Sequence, residues 1–189
     1  MVLDILKRKK AEPDTDKKEK SVLSSMALFR NNETYNIFRI IDHLKTFWKL
    51  TIENDEDADN EVAVFKINKQ TIAIASVPVP LPKNEWTGVT DYCYTWQNVG
   101  RDMESHTNHV VITVLDPCPV KVERSLILSK VLCSILMTTN CIGVYQPNQM
   151  LLLSRDYYLE FLEDIHNNVA LIPLWMYIGM VKGDNGMSM

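Results

Sequence analysis

The sequence predicts an α+β domain. It should hold two packed strand–helix–strand–strand units in a mostly antiparallel sheet, with helices covering one face and a C-terminal helix and strand added. Three observations carry this expectation. Residues 122–137 place apolar side chains around most of a helical wheel, the mark of a helix buried against other elements. Residues 61–77 read EVAVFKI and QTIAIASV on either side of Asn68-Lys69, two strand-like runs joined by a two-residue turn. Residues 22–77 and 109–153 also share one layout, a strand, a long helix and two close strands, without residue-level identity.

Composition fits a single globular domain with a tail. The chain has 189 residues, 46% hydrophobic and 23% charged, within the ordinary globular range. A net charge of −4 argues against a nucleic-acid binder. Residues 1–20 carry seven basic and five acidic side chains, so the acidity lies in the body, which would attract a basic partner surface. The basic cluster Lys7–Lys10 is not followed by an apolar stretch, so no signal peptide is expected and a reducing cytoplasm is the expected location. The cysteines Cys93, Cys118, Cys133 and Cys141 show no paired spacing; Cys133 falls in the apolar helix as a small hydrophobe, and Cys93 and Cys118 read as the exposed thiols.

In chain order, residues 1–20 read as a disordered charged tail, residues 21–182 as the domain and residues 183–189 as a frayed end. Val22–Phe29 reads as the first strand. Asn31 or Asn32 then offers a helix cap, and Ile37, Ile40, Ile41, Leu44, Phe47 and Trp48 repeat at helical spacing. A short strand is expected at Leu50–Ile52. The acidic run 53–61 follows, in which Asp55, Asp57 and Asp59 resemble the first half of a calcium loop. The match fails at Asn60, where the loop needs glycine, and at Lys66, where it needs a bidentate glutamate; a solvated connection is the better account.

Pro78, Pro80 and Pro82 stop the hairpin, because proline cannot donate to a ladder. Lys83–Thr90 reads as an irregular connection and Asp91–Val99 as a short aromatic helix. Its Tyr92, Tyr94 and Trp96 either pack on the sheet or form an aromatic cage. A strand opens at His109, and the buried helix spans Val122–Met137. Glu123, Lys130, Ser134 and Thr138 form its one polar stripe, and Ser125, Ser129 and Cys133 form a stripe of small residues. Its apolar run of about 12 residues falls short of the ~20 that a bilayer needs, so no integral membrane association is expected. Ser154 caps a last helix over Asp156–Asn167, and Leu174–Val181 reads as a final strand.

Signatures of catalysis are missing. The sequence has no nucleophile elbow, no phosphate-binding glycine loop and no cysteine-protease signature. His106 and His109 are the candidate metal or catalytic pair by default, with Asp102 nearby. Since His109 begins a strand, the two rings are not expected to converge, and a four-ligand zinc site lacks recognisable partners. No cofactor is expected. The candidate contact residues are Asp55, Asp57 and Asp59 in the acidic loop, with Tyr92, Tyr94 and Trp96 in the aromatic segment.

The run TIAIASVPVPLP, Trp96, ESHTNHVVITV, the apolar helix, GVY, and PLWM near the end resemble, in order and spacing, the bacterial domain-of-unknown-function 4261 family. The resemblance covers roughly residues 65–180, and Asn68-Lys69 departs from its glycine-containing turn. It implies no particular reaction or cofactor. It does imply a small acidic cytoplasmic protein of the kind found beside bacterial toxins and secretion systems as an immunity or accessory protein. The expected function is therefore non-catalytic binding of another protein, a toxin or effector with a basic surface. The alternative is a small hydrolase or metal-dependent enzyme using His106 and His109.

Overall fold

The computed structural model describes residues 22–53, 59–115 and 121–179, together with the backbone of 181–183 and 186–188. The charged tail 1–20, Asp55, Asp57 and Cys118 lie outside the described residues. One sheet organises the rest. Its strands are β1 (Leu23–Phe29), β2 (Ile52–Glu53), β3 (Val62–Ile67), β4 (Gln70–Val77), β5 (Asn108–Val114), β6 (Gly143–Gln146) and β7 (Leu151–Ser154). They lie in the order β2-β3-β4-β5-β1-β6-β7, and every neighbouring pair is antiparallel.

The fold is α+β, as the sequence predicts, and the two strand–helix–strand–strand units interleave. Strand β1 of the first unit lies between β5 and β6 of the second, with Ala27 opposite both Val110 and Val144. This is the split β-α-β plan, extended by β2 and β3 at one edge and β7 at the other. The β3–β4 hairpin turns where expected, with Asn68 in the left-handed region at φ 57°.

Helix α1 (Ile37–Thr46) buries Ile37, Ile40, Ile41 and Leu44, the predicted stripe. Its cap is Asn36, whose side chain accepts from the Arg39 amide at 3.1 Å, rather than Asn31 or Asn32. Those two asparagines instead take positive φ in the turn that leaves β1. Tyr35, almost fully buried just before the cap, fixes where the helix can begin.

Helix α2 (Lys83–Thr90) occupies the stretch expected to be irregular, and α3 is Val99–Ser105. Pro82 stands at the start of α2, where its missing N–H costs nothing. The expected helix over 91–99 is instead a turn. Tyr92, Tyr94 and Trp96 are spaced by two, which cannot place them on one helical face.

Helix α4 (Lys121–Thr138) is the buried helix, with Val131, Cys133, Ser134, Ile135 and Leu136 fully or almost fully enclosed. Burial pushes the Cys133 thiol up to about 12, in keeping with a small hydrophobe. The last helix divides into α5 (Arg155–Leu159), capped by Ser154, and α6 (Leu162–His166). Expected as a strand, the following segment makes a helical turn, α7 (Ile172–Trp175), because Pro173 suits a first helical turn and cannot feed a ladder. Backbone strands β8 (Val181–Gly183) and β9 (Gly186–Ser188) form a hairpin where a frayed end was expected.

Two apolar layers flank the sheet. The larger joins Phe29, Phe65, Ile74, Ile112 and Val144 to α1, α4 and the C-terminal helices. The smaller covers the opposite face, where Leu28, Tyr145 and Leu152 meet Leu81, Trp86, Val89, Trp96 and Met103. Cover therefore exists on both faces, α2 and α3 supplying the second. Among the described residues, no helix is long and apolar enough to cross a membrane.

Ser134 lies in the predicted polar stripe of α4 and is fully buried. Its hydroxyl donates to Lys130 O at 2.9 Å and accepts from Trp48 Nε1 and His43 Nδ1, both at 3.0 Å. That uses the full capacity of a hydroxyl and ties α1 to α4. Ser134→Ala leaves the Trp48 indole N–H buried without an acceptor and should lower stability by about 1–3 kcal/mol. A denaturant midpoint within error of the parent would show the hydroxyl to be dispensable.

Candidate functional site

The segment from Asp91 to Asn98 connects α2 to α3 and passes along edge strand β7. Cys93 holds it there, donating its S–H to Leu152 O at 3.1 Å. The thiol is half-buried rather than exposed, and burial raises its pKa. On either side Tyr92 and Tyr94 turn outward, 63% and 64% exposed. The Tyr92 ring meets Tyr177 edge to face at 6.2 Å between centroids. Tyr94 lies close enough to Tyr157 to act on its ionisation: burial raises the Tyr157 pKa first, then Tyr94 and Glu160. Tyr157 in turn packs edge-on against Phe161 at 5.4 Å. Met150, Met176 and Ile178 are exposed apolar side chains, the first beside Tyr92 and Tyr94 in a shallow surface recess. The carboxylates neighbouring these tyrosines in sequence, Asp91, Asp156 and Glu160, are exposed. Tyr92, Tyr94, Tyr177 and Met150 thus share one stretch of surface.

Trp96 does not join that surface. It is almost fully buried, and its ring lies against Gly143 of β6. A Cβ at Gly143 would stand 2.5 Å from the Trp96 ring and 2.5 Å from Leu153 O, so only glycine admits the indole there. Asp102 of α3 fixes the ring from the other side. Its Oδ2 accepts from Trp96 Nε1 at 2.7 Å, and its Oδ1 pairs with the Arg30 guanidinium. Arg30 also donates from Nε to Ser105 Oγ at 2.7 Å. Above the indole edge opens a cleft of about 430 Å³ at the end of the sheet, bounded by Arg30, Asn98, Asn140 and Arg155.

The histidine pair is built into the fold. His106 is buried, with Nε2 accepting from the Leu81 amide at 2.7 Å and Nδ1 bonded to Met103 O. This places its proton on Nδ1. His109 is also buried, with Nδ1 against Val79 O at 3.0 Å. Burial lowers the His109 pKa, and the bond to Val79 O offsets part of that. Together the two histidines pin the proline-bearing segment 79–81 to the sheet. In the acidic run, Asp59 Oδ1 accepts from the Glu61 and Val62 amides at 2.8 and 2.7 Å, and these two bonds lower its pKa. Asn60 Oδ1 accepts from the Ile37 amide at 2.9 Å, at the start of α1. Both side chains shape the entry to β3. Among the described residues, no group of three or more His, Cys, Asp or Glu is placed to hold a metal.

Sequence reasoning finds Tyr92 and Tyr94 and misses the cleft. Arg30 and Asp102 are 72 positions apart, and Arg155 is further still, so no local spacing announces them. Gly143 offers a faint signal as a glycine opening a strand. No protein-family model, curated protein or solved structure matches the chain.

Two measurements check this geometry. Gly143→Ala should destabilise by about 1–3 kcal/mol through overpacking. It should also shift Trp96 fluorescence, and an unchanged spectrum and midpoint would place the indole elsewhere. Burial lowers the pKa of both His43 and His109. The unfolded chain therefore binds more protons than the folded one below the free histidine value of about 6.5. Stability should be fully present above that pH and fall as pH drops from about 7 towards 5. His109→Gln should flatten the fall, and a midpoint that rises on acidification contradicts the assignment.

Proposed function

We propose that this protein acts by binding another protein, through the surface that carries Tyr92, Tyr94 and Tyr177. The single observation behind the reading is that these rings face solvent, Tyr92 edge to face with Tyr177, in segments that also carry exposed carboxylates. Tyrosine and methionine are enriched at interface cores, and tyrosine gives large contact area with few rotatable bonds. With Asp91, Asp156 and Glu160 around it, the surface suits a partner that presents lysine or arginine. Cations can lie over the tyrosine faces or pair with the acids. The resemblance to the domain-of-unknown-function 4261 family takes the reading one step further, to an immunity or accessory protein that neutralises a toxin or effector by covering it. The hydrolase alternative has less behind it. Both His106 nitrogens are committed to backbone groups, and His109 is buried against Val79 O.

The test is capture of a partner from native cells, followed by its titration with purified protein. Tyr92→Ala and Tyr94→Ala should each weaken binding by about tenfold or more, the scale of interface hot spots. Thermal stability should hardly change, because both side chains are exposed. Raising salt should slow association if the acids steer the partner. A partner whose affinity ignores both tyrosines and responds instead to substitutions on another face would overturn the proposal.

A further inference from the structure

We propose that the cleft beside Trp96 binds a small ligand carrying an oxyanion, a phosphate or a carboxylate. This goes beyond the protein-binding reading and does not depend on it, because the tyrosines of that surface do not line the cleft, although Asp156 borders both. Its volume of about 430 Å³ lies in the range of small-molecule sites, ~300–1,000 Å³.

The charges in the cleft are not equivalent. The Arg30 guanidinium is paired with Asp102, whose other oxygen is held by the Trp96 indole, so those three groups satisfy one another. Arg155 is different. It is half-buried, its Nε donates to Leu136 O at 2.9 Å, and among the described residues no carboxylate lies within ion-pair distance of it. A guanidinium has five N–H donors, so four remain for another acceptor. Around it stand the carboxamides of Gln97, Asn98 and Asn140, exposed, none making a side-chain hydrogen bond among the described residues. Among the described residues, one guanidinium without a carboxylate partner and three amide side chains without hydrogen bonds thus line a single concavity. Its wall cannot easily collapse, because Gly143, Asp102 and Arg30 hold the indole. Guanidinium and amide N–H donors together are the chemistry that receives an oxyanion. Asp156, exposed at the rim, is the lining group that opposes one.

The experiment titrates the isotope-labelled full chain with inorganic phosphate and, separately, with acetate, using sodium chloride at equal ionic strength as control. Saturable shifts of the Trp96 indole N–H and of the Gln97, Asn98 and Asn140 amides are expected with one or both oxyanions and not with chloride. Which probe saturates at lower concentration separates a phosphate ligand from a carboxylate one. Asn98→Asp places a negative charge in the cleft without removing a bond and should weaken binding by about tenfold. Asp156→Asn should strengthen it several-fold. Both sites are exposed, and an unchanged melting temperature certifies the fold. Shifts that match those of chloride, that scatter over the surface, or that respond to neither variant would overturn the proposal; failure of Asn98→Asp to fold leaves Asp156→Asn to decide it.

Discussion

Strands β1, β6 and β7 carry apolar side chains on both faces, and both faces must be kept from water. Leu28 and Leu152 point one way; Ala27, Phe29, Val144 and Leu153 point the other, all of them essentially inaccessible. Fully burying a leucine is worth about 1.5–3 kcal/mol, so leaving either face open would forfeit several such contributions. The larger layer over one face is supplied by α1 and α4. The other requires a separate cover, and the segment from Leu81 to Met103 provides it. Trp86, Trp96 and the His106–His109 pair follow from that demand. The indoles supply the area, and the imidazoles bond the backbone of residues 79–81 that brings the cover across the sheet.

The position of the cleft follows from the same constraint. The Trp96 ring can approach β6 this closely only where the strand has no side chain, at Gly143, and an indole buried there needs an acceptor for its N–H. Asp102 serves as that acceptor. A carboxylate so placed calls for a cation, and Arg30, just past the end of β1, supplies it. Cover, indole, acid and base thus form a chain of requirements that finishes at the end of the sheet where β1 and β7 stop. Beyond it lie Arg155, which bonds Leu136 O near the end of α4, and the exposed amides of Gln97, Asn98 and Asn140.

Much of the fold is legible in the sequence, and the reasons differ by element. Helix α1 shows a clean three-four repeat. Helix α4 is apolar nearly all round, which foretells burial and hides which side meets the sheet. Strand β3 alternates, and its Val62 and Val64 are half-exposed as alternation implies. The sequence predicts helices on one face only, whereas Leu152 packs on the face opposite Leu151 and Leu153, and both are covered. Helix α2 was illegible because KNEWTGVT buries only Trp86 and Val89, too few to make a pattern. The tyrosines were legible as aromatic, and only the turn geometry separates the exposed Tyr92 and Tyr94 from the enclosed Trp96. Ser134 falls in the predicted polar stripe and is core, because its partners His43 and Trp48 come from α1 and the residues just after it, some 90 positions earlier.

The place of β1 between β5 and β6 sets an order of events during synthesis. The strand is among the first described segments to leave the ribosome, yet its neighbours start at Asn108 and Gly143. At about 5–20 residues per second, some 80 residues separate the end of β1 from the start of β5, an interval of roughly 4–16 s. Throughout it, Met26–Phe29 has no ladder partner and no layer to bury it. Helix α1 and the β3–β4 hairpin are local and can form meanwhile, whereas the sheet closes only late. A nascent chain of this design has every reason to engage a chaperone that holds extended apolar segments, and to gain from rapid passage through the residues between β1 and β5.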